Sequence, residues 1–259
     1  MEQEMANNAA ISARSVTKRF GDFVAVDHVD FEILENEIVG IIGPNGAGKT
    51  TFINLITGFY TPDEGTLYAH GKEITTLKPE VRVGMGIART FQLVHVFDNM
   101  SVFDNLALSY YRRLKNKSLP PGIFLITLNS KDIREHVLDT LELLELNSLK
   151  DELVGNLPLG SKKKLELAMA FVSDPKVLLL DEPFSGLGDA EITEVTEVLK
   201  RYIQNKTVLI IEHKLSRLTE IVEKIAVMHE GKIIACGDCE ETLNHPDVRR
   251  VYWKIEKKE

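Results

Sequence analysis

The sequence predicts an α/β fold: a core built on a parallel sheet, an antiparallel β subdomain at the N-terminus, and an inserted helical subdomain. Two continuous apolar runs, at 177–180 and 208–211, are typical of strands buried on both faces of a parallel sheet. A glycine-rich stretch at 43–51 lies between a strand-like and a helix-like segment. From about 93 to 158 apolar residues recur mostly at helical spacing, which indicates the inserted subdomain.

The composition is that of a folded protein with no membrane-spanning segment. The chain has 259 residues, 44% hydrophobic and 27% charged, which excludes intrinsic disorder. Its longest apolar runs are strand-length, far below the roughly 18 residues that a spanning helix needs. The formal net charge is −8, so nucleic acid is not expected as a partner. Residues 1–10 are polar and lack the apolar core of a secretory signal, which predicts a cytoplasmic chain.

Short strands separated by turns are expected over the first ninety residues. Asp22 and the stretch 35–37 supply turn-forming residues, and a glycine turn is expected at 70–72. Residues 52–56 are predicted to form the buried part of a helix. The predicted strands are 11–16, 24–26, 29–33, 38–42 and 65–69.

Helices and strands alternate in the prediction for the rest of the chain. A helix is expected behind Ser130, a residue type favoured at helix N-caps. Another helix is predicted over 164–172 and is stopped by Asp174-Pro175, because the residue before a proline disfavours helix. Glu230-Gly231 is typical of a hairpin turn. The predicted division is a flexible N-terminus at 1–10, a core lobe at 11–92 and 159–235, a helical subdomain at 93–158, and a C-terminal segment at 236–259.

Cys236 and Cys239 form a C-x-x-C pair, a spacing found in redox and metal sites. A zinc site needs two more ligands nearby, and a thioredoxin-like site opens a helix after an early strand. Neither context is present, because the pair follows a predicted strand and leads into a polar turn. We therefore expect no redox or metal function from these cysteines.

The string GPNGAGKT at 43–50 is a full match to the phosphate-binding loop pattern G-x-x-x-x-G-K-[ST]. Glycines allow successive backbone N–H groups to turn towards phosphates, and the following helix presents its positive N-terminus to the same anion. In this pattern Lys49 reaches the β- and γ-phosphates, and the Thr50 hydroxyl is a Mg²⁺ ligand. The predicted nucleotide-binding residues of the loop are Gly43, Asn45, Gly46, Ala47, Gly48, Lys49, Thr50 and Thr51.

Two adjacent carboxylates follow the apolar run at 177–180. A buried parallel strand would deliver Asp181 to the carboxyl edge of the sheet, where ligands of such folds bind. There Asp181 would hold Mg²⁺ through water, and Glu182 would polarise a water for attack on the γ-phosphate. Such a pair is a weak signal alone, but with the upstream loop it predicts a P-loop NTPase core that hydrolyses nucleotide.

From about residue 11 onwards the chain resembles the nucleotide-binding subunits of ABC transporters, with the motifs in that family's order. The resemblance implies that Phe20, 23 residues before the loop, stacks on adenine. It implies that Gln92, in the string RTFQ, senses Mg²⁺ and the γ-phosphate and links to the membrane subunits. His213, 32 residues after Asp181, matches a histidine that contacts the γ-phosphate and orients water with Glu182. The resemblance thus implies ATP and Mg²⁺ as cofactors, with Lys49, Gln92, Glu182 and His213 as catalytic residues and Thr50, Gln92 and Asp181 at the metal.

The signature region departs from the family pattern at two positions. The family's signature loop, usually LSGGQ, closes over the ATP of the opposite subunit, and here it reads LPLGS. Pro158 removes the serine hydroxyl and a backbone donor, while Gly160 and Ser161 keep a predicted nucleotide contact. Gly188 stands where the family usually has aspartate. Asp189 either substitutes for that aspartate or caps the next helix, and we expect the cap. These departures favour pairing with a non-identical ATP-binding subunit, which would give two unequal ATP sites.

Several strings resemble the ATP-binding subunits of branched-chain amino acid or urea importers. They are RTFQ at 89–92, FDNMSVFDNL at 97–106, ELA at 166–168, IEH at 211–213 and PDVRRVY at 246–252. The resemblance implies membrane subunits and a second ATP-binding subunit as partners, with the chain peripheral on the cytoplasmic face of the cell membrane. The ATPase of lipopolysaccharide export and a soluble, non-transport ABC ATPase are the alternatives. A regulatory binder that does not hydrolyse ATP is disfavoured by the intact catalytic residues.

Overall fold

The computed structural model describes residues 8–90, 95–115, 131–213 and 215–253. Gln92 and the Ser130 helix cap therefore lie outside the described residues. The chain forms two compact units. The first unit is Met1–Ile87, Lys176–Glu182 and Ile203–Glu259, and the second unit is Ala88–Pro175 and Pro183–Tyr202.

The described strands confirm the predicted α/β class. They form a four-stranded antiparallel sheet, in the order β2-β1-β4-β5, and a six-stranded sheet, in the order β10-β9-β3-β8-β7-β6. In the larger sheet, neighbouring strands from β9 through β3 and β8 to β7 pair in parallel. The strands are β1 Ala9–Phe20, β2 Phe23–Leu34, β3 Ile38–Ile42, β4 Glu64–Ala69, β5 Lys72–Glu73, β6 Ile87–Arg89, β7 Val177–Asp181, β8 Thr207–Ile211, β9 Lys224–His229 and β10 Lys232–Asp238.

Nine α-helices are assigned in the part of the chain that the structure describes. None of the described helices is both long enough and apolar enough to span a bilayer. The helices are α1 Lys49–Thr57, α2 Pro79–Gly84, α3 Val102–Lys115, α4 Lys131–Leu143, α5 Leu159–Phe171, α6 Asp189–Tyr202, α7 Leu215–Leu218, α8 Cys239–Asn244 and α9 Pro246–Trp253.

The N-terminal hairpin differs from its prediction in strand length. The three short strands predicted between 11 and 33 are parts of two twelve-residue strands that meet at a turn after Phe20. The breaks in their alternating pattern are irregularities in the ladder, where Ser15 and His28 adopt positive φ values of 49° and 47°. Ala9 and Ala10 are buried in β1, so the sheet begins before the predicted end of the flexible N-terminus.

The second unit contains more of the chain than the predicted insert. Helix α5 contacts α3, α4 and α6, and all four helices belong to this unit. The prediction placed α5 and α6 with the core lobe because they flank β7 in sequence. Leu165 on α5 and Val195 and Leu199 on α6 are buried, and the two helices contact each other within the second unit.

Candidate active site

Three neighbouring strands of the first unit end at the same edge of the parallel sheet. Strand β8 lies between β3 and β7, and Ile211 is aligned with Ile41 on one side and with Asp181 on the other. The glycine-rich loop follows β3, Glu182 follows β7, and His213 follows β8. Parallel pairing therefore brings the predicted loop and the predicted carboxylates to one edge, as expected for a ligand site of an α/β sheet.

The conformation of the glycine-rich loop requires glycine at both ends. A Cβ at Gly43 would lie 2.2 Å from the carbonyl oxygen of Met228, in β9. Gly48 has φ of +102°, and a Cβ there would lie 2.2 Å from the carbonyl oxygen of Ala25, in β2. The loop thus packs against two strands, which leave no room for a side chain at positions 43 and 48. Its tip at Asn45 and Gly46 is exposed, so backbone N–H groups there are accessible to a phosphate.

Lys49 is the first residue of α1 and is almost fully buried, at 5% exposure. Its Nζ donates to the carbonyl oxygens of Gly43 at 2.7 Å and Pro44 at 3.0 Å. Burial lowers the pKa of Lys49, and the negative charges of Glu182 and Asp181 oppose that shift. The ammonium group is therefore positioned inside the loop, within electrostatic reach of both carboxylates.

Oxygen ligands suited to Mg²⁺ are present beside the loop. Thr50 presents its hydroxyl from the first turn of α1, and Asp181 ends β7 with 1% exposure. A hydroxyl and a carboxylate are hard oxygen donors, and Mg²⁺ at nucleotide sites takes one or two protein groups together with phosphates and water. In the described ranges, no group of three or more His, Cys, Asp or Glu side chains could hold a metal by itself. This donor set fits a metal bound jointly with nucleotide phosphates.

Glu182 and His213 form a hydrogen-bonded pair. His213 Nε2 lies 2.7 Å from Glu182 Oε1, and the backbone N–H of Glu182 donates to the Ile211 carbonyl at 2.9 Å. Glu182 has a positive φ of 48°, an uncommon backbone conformation for a residue with a side chain. Strained backbone is concentrated at functional sites, where the surrounding structure holds it. The pair therefore has the geometry of a general base that a second group orients.

The predicted adenine-stacking residue lies at the end of the N-terminal hairpin. Phe20 is 44% exposed, and its ring packs against the Tyr60 ring in a T-shaped contact with centroids 5.2 Å apart. Phe20 pairs with Phe23, two residues before Ala25, whose carbonyl approaches the loop. An exposed aromatic face is therefore available on the hairpin that contacts the phosphate-binding loop. The sequence analysis missed Tyr60, which lies three residues after α1 and has no local motif.

The signature region lies in the second unit. Pro158 immediately precedes α5 in an extended conformation, with φ of −59° and ψ of 156°. Gly160 is buried, and its N–H donates to Glu191 Oε1 at 3.1 Å; Ser161 is half-buried in the first turn. The cap expected from Asp189 is provided by Glu191, whose Oε2 accepts the Gly188 N–H at 3.0 Å. A glutamate that reaches back over three residues is half of a capping box.

The lysine run at 162–164 is paired rather than solvated. Lys162 Nζ lies 2.9 Å from Asp98 Oδ1, and Lys164 Nζ lies 2.6 Å from Glu194 Oε2. Lys163 is buried and forms an ion pair with Glu166, also buried, at 2.9 Å. The carboxylates that pair with these lysines come from several segments of the second unit.

The two cysteines are free thiols on β10 and at the start of α8. Burial is the largest cause of a raised pKa at both Cys236 and Cys239. A raised pKa lowers the thiolate fraction at neutral pH, and the thiolate is the nucleophile and metal ligand. The surroundings of these thiols are therefore unlike those of reactive cysteines.

The fold and site together define a phosphate-loop nucleotide hydrolase. The family model described as "ABC transporter" matches residues 26–185. The branched-chain amino acid transport ATP-binding protein LivG of Salmonella typhimurium strain LT2 is 37% identical over 251 residues, which cover 93% of this chain and 96% of LivG. The corresponding protein BraF of Pseudomonas aeruginosa is 34% identical over 247 residues, which cover 93% of this chain and 96% of BraF.

A solved structure shares the whole fold. The crystal structure of an ABC transporter ATP-binding cassette in its ADP conformation aligns with a TM-score of 0.81 and 32% identity, and the alignment covers 95% of this chain and 99% of that one. The chain belongs to the ATP-binding subunits of ABC transporters, as the sequence predicted. It is an ATPase of that family, in which hydrolysis is coupled to transport.

Proposed function

We propose that the chain powers an importer of branched-chain amino acids or a related small polar solute, bound peripherally at the cytoplasmic face of its membrane subunits. The observation that carries its enzymatic part is the Glu182–His213 pair at the sheet edge that also holds Lys49 and Asp181. The solute class is supported by the LivG and BraF relatives and by the importer-like strings of the sequence.

The proposed reaction is attack of water on the γ-phosphate of ATP. Lys49 exchanges its two loop carbonyls for β- and γ-phosphate oxygens, which its position in the loop allows. Glu182 accepts the proton of the attacking water, and His213 holds the carboxylate in place through its Nε2 contact. Thr50 and Gln92 would hold Mg²⁺, with Asp181 binding it through water. When bound, the metal would supply charge neutralisation at the β- and γ-phosphates.

Nucleotide recognition is proposed to use the loop and one aromatic face. The N–H groups of the loop cradle the phosphates, while Phe20 stacks on adenine through its exposed face. Tyr60 holds the Phe20 ring edge-on and so limits its rotation. This arrangement uses only residues of the first unit, so one chain binds ATP without help from another.

Hydrolysis is proposed to require a second, non-identical ATP-binding subunit. Cassettes of this family dimerise and work with membrane subunits. Gly160 and Ser161 would contact the nucleotide of the partner subunit, and Pro158 removes a hydroxyl and an N–H donor from that contact. The two ATP sites would then be unequal. Cooperative ATPase activity of the purified chain alone, equal to that of the heterodimer, would contradict this pairing.

A carboxylate substitution tests the catalytic assignment. Glu182→Gln should lower ATP hydrolysis by about 10²–10⁴-fold while leaving ATP affinity unchanged, because it removes the base and keeps the shape. Glu230→Gln is the matched control, since the Glu230 side chain is 86% exposed in the β9–β10 turn of the same unit. Hydrolysis that persists in Glu182→Gln would refute the role of Glu182.

The proposed solute class must be tested on the complete transporter. Co-purification from membranes identifies the membrane subunits, and leucine uptake by vesicles containing the complete complex measures the coupled reaction. Uptake driven by ATP and lost in Glu182→Gln is the expected result. Recovery of lipopolysaccharide-export membrane subunits, or of none, would contradict the importer assignment and leave the ATPase assignment intact.

A further inference from the structure

Helices α5 and α6 of the second unit are joined at three levels. The contacts are a backbone hydrogen bond at the N-terminal end, an ion pair one turn later, and a tyrosine bond to a carbonyl at the C-terminal end. The joined residues are separated in sequence by 31, 30 and 31 positions, so the two helices run parallel and in register. The pairs are Gly160–Glu191 at 3.1 Å, Lys164–Glu194 at 2.6 Å and Phe171–Tyr202 at 2.9 Å.

The N-terminal contact differs from the other two because one carboxylate serves both helices. Glu191 Oε1 accepts the N–H of Gly160 near the start of α5, and Oε2 accepts the N–H of Gly188 just before α6. Parallel helices bring two positive N-terminal ends side by side, and a carboxylate between them stabilises both. The contact also depends on Gly160, because a Cβ there would lie 2.3 Å from Glu191 Oε1.

The two amides held by Glu191 belong to different functional segments. Gly160 lies in the signature loop, and Gly188 ends the segment that begins one residue after Glu182. One side chain therefore joins the signature loop to the segment that follows the catalytic residue.

We propose that Glu191 is a positioning residue of the ATPase, which holds the Gly160 amide where the signature loop meets a nucleotide bound by the partner subunit. This role rests on the proposed function, in which that loop acts on the partner's ATP. The phosphate-binding loop, Phe20 and Glu182 lie in the first unit, whereas Glu191 lies in the second. Loss of Glu191 therefore spares the chain's own ATP affinity and lowers turnover at the site on the partner subunit.

Glu194 provides a matched control on the same helix. It is a glutamate that joins α6 to α5 through Lys164, but it lies three residues further from the signature loop. A purely structural role for Glu191 predicts that Glu191→Ala and Glu194→Ala have the same consequences. A positioning role predicts a kinetic defect in Glu191→Ala alone, at similar loss of stability.

Hydrogen exchange on the full-length chain tests the contact directly. In Glu191→Ala, the amides of Gly160 and Gly188 should exchange about tenfold faster, the order expected for losing one hydrogen bond to a charged group. In Glu194→Ala they should exchange at the native rate. Glu191→Gln retains a single acceptor oxygen, so it should protect one of the two amides. Unchanged exchange in Glu191→Ala would overturn the proposal.

Double substitution in the complex with the partner subunit tests the action on the partner site. Glu191→Ala should leave the Kd of this chain for ATP unchanged. In the complex, Glu182→Gln leaves hydrolysis only at the site on the partner subunit, and adding Glu191→Ala to the same chain should lower the remaining kcat about tenfold. A remaining kcat that Glu191→Ala does not change would overturn the proposal.

The outcomes separate this proposal from the proposed function. A native chain that hydrolyses no ATP, alone or with its partner subunit, contradicts the function, while the exchange measurement still decides the role of Glu191. A native chain that is active and indistinguishable from Glu191→Ala contradicts the positioning role only.

Discussion

Arg82 holds the end of the helix that begins at the phosphate-binding loop. It is 1% exposed, and its guanidinium donates to four backbone carbonyls. Two of these, of Leu55 and Ile56 at 2.6 and 2.8 Å, lie in the last turn of α1, and the others belong to Thr75 and Leu77. Burial lowers the pKa of Arg82 to about 10, so the group remains a cation at neutral pH. A cation at a helix C-terminus also stabilises the helix dipole.

Replacing Arg82 with methionine keeps much of the volume and removes every donor. All four carbonyls lose the guanidinium donor in this variant. The Leu55 carbonyl still accepts the N–H of Gly58 at 3.2 Å, so the loss counts mainly for the other three. At roughly 1 kcal/mol or more for each such acceptor, the free energy of unfolding should fall by about 3–5 kcal/mol. Arg82→Lys keeps the charge but not the fork of donors, and should cost about half as much.

Urea denaturation of the two variants measures this loss. Arg250→Met is the control, because the Arg250 side chain is 73% exposed and its ion pair with Asp247 should be worth under about 1 kcal/mol. ATP affinity should fall together with stability in Arg82→Met, since α1 supplies Lys49 and Thr50. A loss below about 1 kcal/mol in Arg82→Met would refute this reasoning, because it would mean that water replaces the guanidinium without cost.

Two further predictions concern the site itself. His213→Ala should lower the ATPase kcat by about 10–100-fold at unchanged ATP affinity, because Glu182 loses the group that orients it. Steady-state kinetics gives the kcat, and a parallel binding titration gives the ATP affinity. A lower ATP affinity at native kcat would contradict the prediction. Tyr60→Leu should weaken ATP binding by about 2–10-fold through loss of the edge contact with Phe20. Calorimetry with tripolyphosphate, which has no base, is the control, and an equal loss for both ligands would show that Tyr60 acts on the phosphates.

The sequence predicted those parts of the site that belong to a local sequence motif or strand pattern. The loop at 43–50 has a fixed spacing. The strands that lead to Asp181 and His213 are continuous apolar runs, which are typical of a parallel strand buried on both faces of the sheet. Because parallel strands align their carboxyl ends, the meeting of these segments followed from the order of elements. The Glu182–His213 contact required the resemblance as well, since the two residues are 31 positions apart.

The parts that the sequence analysis missed depend on contacts between distant segments. Arg82 looks like an exposed helical arginine, and its burial follows from carbonyls up to 27 positions away. Glu191 looks like one acidic residue among several on an amphipathic helix. Lys163 stands in a run of three lysines, where solvation is the usual outcome, yet it is buried against Glu166. Sequence periodicity does not reveal the burial or the contacts of these side chains, because tertiary packing determines which groups they meet.

The backbone of Glu182 has a consequence for engineering this protein. With φ of 48°, position 182 favours glycine or asparagine over glutamate, by about 1 kcal/mol or more. Neither of those residues keeps a carboxylate within reach of His213. A screen that selects variants for heat resistance would therefore enrich inactive chains at this position. Activity must be scored alongside melting temperature whenever residue 182 is allowed to vary.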